Sequence, residues 1–288
     1  TMAMLFIFVD LGQPARVFNI ILYPSPHSVL FWDMIVLSLY LILNIIIGWR
    51  TLEAEHQEEA PPIWLKPLVF ISIPLAFSIH TVTAFIFSGL GARPFWLTAL
   101  LAPRFLASAF ASGPAILIIM CIIMRRFAKF DIGQEATQKI ALIITYALSI
   151  HIFFFLVEIF TVFYGGIPEH VHHFEYLLGR GGQSILTISA WISLVLIWIA
   201  FLLMINPQTR KTEGTLIYAL LAVIIAVWIE KGPSFIVPGF IPSPLGEIAR
   251  YSPTLAEIFI TIGVWSVGIL FLTVLYKVTV SIKKGMVS

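Results

Sequence analysis

Long apolar runs, broken at wide intervals by short polar clusters, set the pattern of this chain. Seven of them lie at approximately 28–48, 66–88, 95–124, 137–164, 183–204, 215–230 and 253–280. A helix that crosses the hydrocarbon core of a bilayer needs about 20 apolar residues, and each run reaches or approaches that length. Lipid cannot satisfy free backbone groups, and no alternating strand pattern is present, so the runs predict helices. An eighth run, Met2–Val9, is too short to cross. It reads as the outer end of a further helix whose start, with preceding helices, lies upstream of Thr1. Pro74, Pro103 and Gly113-Pro114 fall inside spans and predict kinks or local breaks. The expected fold is an all-α, polytopic helical bundle forming one membrane domain over residues 1–288.

Composition strengthens that reading and removes alternatives. Of 288 residues 59% are hydrophobic and 11% charged, and mean hydropathy is +0.99. Soluble domains are about 25% charged. The net charge of +2 gives no support for a nucleic-acid partner. With one cysteine, Cys121, the chain cannot build a disulfide framework or supply the thiolates of an iron–sulfur cluster. A redox function therefore needs a carrier from elsewhere. No phosphate-cradling glycine loop and no hydrolase motif occurs.

Charge also orients the spans. Eleven of the 17 Lys and Arg (Arg50, Lys66, Arg125, Arg126, Lys129, Lys139, Arg210, Lys211, Lys277, Lys283 and Lys284) fall at one set of ends. The remaining six, Arg16, Arg93, Arg104, Arg180, Lys231 and Arg250, fall at the other. The richer side is cytoplasmic by the positive-inside rule, which places the C-terminus there and makes the cytoplasmic membrane the expected location. The loops around 11–27, 89–95, 165–182 and 231–252 then face outward. They are rich in Gly, Pro and aromatic residues, a composition suited either to backbone docked on a partner or forming a site mouth, or to tight inter-helix turns with interfacial aromatics.

Ionisable residues at membrane depth are functional candidates because each is costly there. From the helical rise, Asp33 lies about 8 Å, His80 about 12 Å and Arg104 about 14 Å from the outer ends of three consecutive spans. A carboxylate, an imidazole and a guanidinium thus share one half of the membrane. Tyr40 is two turns from Asp33, and Thr81 and Thr83 neighbour His80. The alternative is an Asp–Arg pair that locks the bundle. A second group comprises His151 and Glu158, seven apart on one helix face, with Glu257 near the start of the last span and Glu230 closing the one before. Ser184, Thr187, Ser189 and Ser193 line the helix between. This group reads either as a proton path or as inter-helix hydrogen bonding. His170, His172 and His173, beside Glu169 and Glu175, match no strong zinc spacing and read as a loop facing solvent or a partner.

Several motifs carry a family likeness over essentially the whole chain. Asp10-Leu11-Gly12-Gln13-Pro14-Ala15-Arg16 is close to the DLGRPxR that ends an early helix in the NrfD/PsrC family of polysulfide-reductase membrane subunits, with Gln13 where Arg is usual. Leu30-Phe31-Trp32-Asp33 resembles the LxWD opening the next helix, and Ser78-Ile79-His80-Thr81-Val82 resembles the family's His-bearing helix. Ala92–Trp96 and Ala102–Phe110 resemble the ten-helix branch. Glu230-Lys231-Gly232, Ile236–Phe240 and Leu245-Gly246-Glu247-Ile248 are similar to the DsrP-like membrane subunit of DsrMKJOP-type complexes and archaeal relatives.

The resemblance implies two four-helix bundles in the full-length chain and a quinone-interacting subunit with no haem or cluster of its own. Menaquinone near the outer face would exchange electrons with a docked ferredoxin-like iron–sulfur subunit. A multihaem cytochrome c and further membrane or cytoplasmic redox subunits would extend the chain of carriers, in sulfur or sulfate respiration. His80 would hold a quinone oxygen, Asp33 would accept or orient its proton, and Arg104 would keep Asp33 ionised. Phe31, Trp32, Tyr40, Phe77 and Phe85 would pack the ring and tail. A secondary transporter would also use broken helices and buried charge, and a haem-b anchor could draw axial imidazoles from His80 and His151.

Overall fold

The computed structural model describes residues 2–128, 133–179, 185–241 and 253–285. Along these α1 is Met2–Asp10, followed by a 3-10 turn at Pro14–Phe18, and α2 is Asn19–Leu22. The long helices α3, α4, α5 and α6 cover Val29–His56, Leu65–Ser88, Leu101–Ala128 and Gln134–Gly165. Then come α7 (Pro168–Leu178), α8 (Ile185–Ile205), α9 (Pro207–Lys211), α10 (Glu213–Lys231), α11 (Pro233–Gly239) and α12 (Leu255–Gly285). Among the described residues there is no strand, and seven helical stretches are long and apolar enough to cross a membrane. The protein is a polytopic all-α membrane protein. Lys129, Arg180, Ser184, Arg250 and the Leu245–Ile248 motif lie outside the described residues, as do the side chains of Lys283 and Lys284.

Two expected spans change shape. The run expected at 95–124 becomes helical only at Leu101. Residues Arg93–Leu100 turn instead, with Thr98 Oγ1 accepting the Leu100 N–H at 3.2 Å. Pro103 therefore falls in the first turn of α5, where a missing N–H has no intrahelical partner to lose. The short run at 215–230 is the first part of a broken span, Glu213–Gly239. It is interrupted at Gly232, and Pro233 opens α11. Pro74 and Pro114 do lie within their helices.

The chain forms two compact units, one of Thr1–Thr83 with Tyr251–Ser288, the other of Ala84–Arg250. In the second, α5, α6, α8 and α10 close into a four-helix ring, α5 against α6 and α10, α8 against α10 and α6. Lipid is as apolar as leucine, so burial alone does not drive these helices together; close approach does. The core accordingly mixes small residues (Ala111, Ala115, Ala141, Ala219, Ala226) with Ile118, Ile144, Leu148 and Leu220. Ser193 Oγ donates across the ring to the Ala226 carbonyl at 2.8 Å. Large apolar side chains such as Phe153, Leu202 and Trp228 point outward, as lipid permits.

One end of the ring is covered by α7 and α11, which pack together. Trp96, fully buried, donates its indole N–H to the Phe235 carbonyl at 3.0 Å. Its ring lies where a side chain on Gly239 would be, and Phe87, Phe95 and Phe105 close around Phe235. In the other unit α12 packs on α1 and α3, with Met2 lying against Gly268. Gly239→Val should overpack the Trp96 contact by about 1–3 kcal/mol. A lowered thermal unfolding midpoint of the detergent-solubilised protein is the expected reading; an unchanged midpoint would show that Trp96 has room to move.

Candidate functional site

Each unit carries its own buried polar group. In the first unit Asp33 sits one turn into α3 and is 4% exposed. A lone carboxylate at that depth needs a donor. Thr83 on α4 supplies it: its hydroxyl lies 2.8 Å from Asp33 Oδ1 and also 2.8 Å from its own helix's Ile79 carbonyl, so one proton serves two acceptors. His80, half-buried, precedes Thr83 by three residues and shares its helix face. The hydrogen bond therefore sets the carboxylate beside Thr83, which stands about one helical turn from His80 along α4. Phe31 meets Trp32 edge to face at 5.8 Å, and exposed Trp32 donates its indole N–H to the Pro26 carbonyl at 2.8 Å. Phe77 is exposed one turn before His80, and half-buried Tyr40 lies two turns beyond Asp33.

In the second unit, Arg104 on α5 is 8% exposed. It forms an ion pair with Glu158 of α6 through Nη1 and another with Glu230 of α10 through Nη2, at 2.8 Å. His151, one face with Glu158, is 1% exposed and its Nε2 lies 2.7 Å from Glu230 Oε2. An ionised carboxylate only accepts, so Nε2 donates, while Nδ1 has no hydrogen-bond partner among the described residues. Lys231 Nζ is 3.5 Å from Glu230 Oε1 and 4.3 Å above the Phe105 ring. Two cations thus face two carboxylates, the balance that burial of charge requires. Glu230 stands in the last turn of α10, one residue before the helix ends at Lys231. A cavity of about 50 Å³ adjoins the cluster, lined by Arg104, His151, Glu158, Ser193, Glu230 and Ser234 among apolar side chains such as Phe155 and Leu194.

The family model for polysulphide reductase, NrfD, matches residues 1–232. The chain belongs to the NrfD family. Similar proteins include a selenate reductase subunit of Mesobacillus selenatarsenatis, 24% identical over 97% of this chain and 73% of that protein. Another is the Hdr-like menaquinol oxidoreductase integral membrane subunit of Archaeoglobus fulgidus, 23% identical over 91% of this chain and 67% of that protein.

Within this NrfD family chain the structure redistributes the residues singled out from sequence. Arg104 was expected to hold Asp33; both of its Nη groups instead engage carboxylates of its own unit, because α6 and α10 pack on α5 and bring Glu158 and Glu230 to it. His151 and Glu158 join that cluster. Glu257 has another task. It is exposed and forms a capping box at the start of α12, accepting the Thr254 N–H at 2.7 Å while its own N–H reaches Thr254 Oγ1 at 3.3 Å. The Thr-x-x-Glu spacing was a readable sign of that role. Glu230 and Lys231 were the residues underweighted from sequence, although Glu-Lys-Gly-Pro closing an apolar run is the pattern of a helix broken at a charged site.

The His170–His173 segment is helical and amphipathic, where a loop was expected. His173 is buried and donates from Nδ1 to the Pro238 carbonyl at 3.0 Å, tying α7 to α11. Burial lowers its pKa below the ordinary 6.5, and the nearby His172, His170 and Arg93 act the same way, against the carbonyl bond that raises it.

Two outcomes follow from this chemistry. Arg104→Met leaves buried Glu158 without its cation and Glu230 with Lys231 alone, and should destabilise the protein by about 3–5 kcal/mol, with partial recovery on adding Glu158→Gln; thermal unfolding of the single and double variants checks it. His173 makes stability pH-dependent. The unfolded state binds the proton more readily, so the full contribution is present above 6.5 and is lost as pH falls below that value. Unfolding midpoints should decline on the acid side, and His173→Asn, which keeps a donor but cannot titrate there, should flatten the decline.

Proposed function

We propose that this chain is the quinone-interacting membrane subunit of a respiratory electron-transfer complex. It exchanges electrons between menaquinone or menaquinol near the outer membrane face and a docked iron–sulfur subunit, in sulfur or sulfate respiration, in a DsrP-like role. The observation that carries this reading is the Asp33–Thr83 hydrogen bond, which sets a buried carboxylate beside Thr83, about one helical turn from His80 along α4. Family membership supports it, as do relatives named as subunits of a selenate reductase and a menaquinol oxidoreductase.

The residues fit such a ring. Its two carbonyl oxygens only accept, and His80 offers an N–H donor. Its flat apolar body suits Phe31 and Phe77, both in the same unit. Bound there, menaquinone supplies two-electron, two-proton redox chemistry. His80 holds a ring oxygen and exchanges the proton at its ring nitrogen. Asp33 orients the imidazole or takes that proton onward, while the Thr83 hydroxyl steadies the carboxylate in its ionised form. One cysteine cannot carry a cluster, so electrons pass to a partner, a ferredoxin-like subunit at the outer face that a multihaem cytochrome c extends.

His80→Ala in the intact complex should cut quinol-linked electron transfer by roughly 10²–10⁴-fold, the usual worth of a positioned acid–base group. Assembly, read from co-purification of the partner subunits, should be unaffected. Normal turnover by an assembled variant removes His80 from the mechanism. A redox-active quinone retained by the wild type and lost from Phe77→Ala would support the pocket independently.

A further inference from the structure

The balanced cluster of the second unit has a feature that a simple electrostatic lock does not need. The buried polar atoms with no hydrogen-bond partner among the described residues include Arg104 Nε, His151 Nδ1 and Ser234 Oγ. All three residues are more than nine-tenths buried, and all three line the same cavity. Leaving a donor or acceptor unmet in an apolar surrounding is expensive, and natural proteins meet such groups with ordered water. At about 50 Å³ the cavity has room for it, since one water needs at least about 10–15 Å³ of such space.

We propose that this cavity holds bound water and that the cluster is an exchangeable-proton site, with His151 relaying a proton between that water and Glu230. The geometry supports a two-ended relay. A proton taken up from solvent reaches Nδ1 through the bound water, which gains one proton as it gives one, and the Nε2 proton passes along the 2.7 Å contact to Glu230 Oε2. One proton enters the imidazole and one leaves it. Glu230 becomes a neutral acid and His151 remains neutral in its other tautomer. The groups facing this step are Arg104 from α5, Glu158 from α6 and Lys231 beside Glu230 on α10, with the hydroxyls of Ser193 on α8 and Ser234 on α11. They set the cost of the transfer: neutralising Glu230 leaves two cations facing the single carboxylate of Glu158. The protonated state is thus the higher one at rest and is reached as pH falls. Because Glu230 stands at the helix interruption, its protonation also loosens the tie between α10 and α5 where the span is already broken.

This inference is independent of the quinone reading, and its test needs no turnover. Infrared difference spectra of the full-length protein in its complex, recorded across a pH titration, should show a protonated-carboxyl band that grows as pH falls and shifts in D₂O. Glu230→Gln should abolish it, and Glu158→Gln should retain it. His151→Asn keeps a single donor but cannot relay, so the band should persist while its appearance after a pH jump slows at least about tenfold. Ser234→Val removes no charge but fills the cavity with methyl groups, and it should slow the same step. A band that survives Glu230→Gln, or no titrating carboxyl at all, would mean that the cluster is a permanently ionised lock. Unaltered exchange in both His151→Asn and Ser234→Val would overturn the relay and the water together. Should Glu230→Gln fail to assemble, these last two variants still decide the matter.

Discussion

Charge cannot be left alone in a membrane interior, and the second unit is organised around meeting that constraint for Arg104. A guanidinium buried between helices demands carboxylates at two Nη groups. One comes from α6, two turns from His151. The other comes from the last turn of α10, which packs on α5 and ends before Gly232. Four helices packed through alanines and β-branched residues supply the density of the core, while this ion-paired group sets how three of them are registered.

The break after Lys231 creates a problem, because a helix end at membrane depth exposes backbone carbonyls and amides. The solution is aromatic and local. Trp96 donates to the Phe235 carbonyl, His173 to the Pro238 carbonyl, and the phenylalanines around Phe235 exclude lipid. Gly239 allows Trp96 close enough to do so. Thus the described parts of the regions 165–182 and 231–252, expected as loops, form short helices packed over the charged cluster.

The two polar groups differ in kind. Asp33 has a neutral hydroxyl as its described partner and aromatic residues nearby, an arrangement open to a ligand that brings its own hydrogen-bonding atoms. The Arg104 cluster is internally balanced, with unmet atoms turned toward a small cavity. In the roles proposed above, the first serves a bound quinone ring and the second exchanges protons. Both groups belong to one chain, and among the described residues no cluster of His, Cys, Asp and Glu is placed to hold a metal ion.

Sequence alone determined the class of protein, the helical spans and most of the ionisable residues that matter. Apolar run length and charge density are local quantities, and a bilayer converts them into helices with little choice. The LFWD and SIHTV motifs also marked Asp33 and His80 ahead of any tertiary information. Partnership was decided only by tertiary structure. Helical periodicity gives depth and face on one helix but not the rotation of that helix against its neighbours. Arg104, similar in depth to Asp33, was therefore open to the wrong carboxylate. Glu257 looked buried by position, yet its own backbone uses it as a cap. Glu230, at what seemed the end of a short span, became central once α10 packed on α5. Depth is a one-dimensional property that the sequence carries; which charges touch depends on the packing angles of separate helices, and those exist only in the folded molecule.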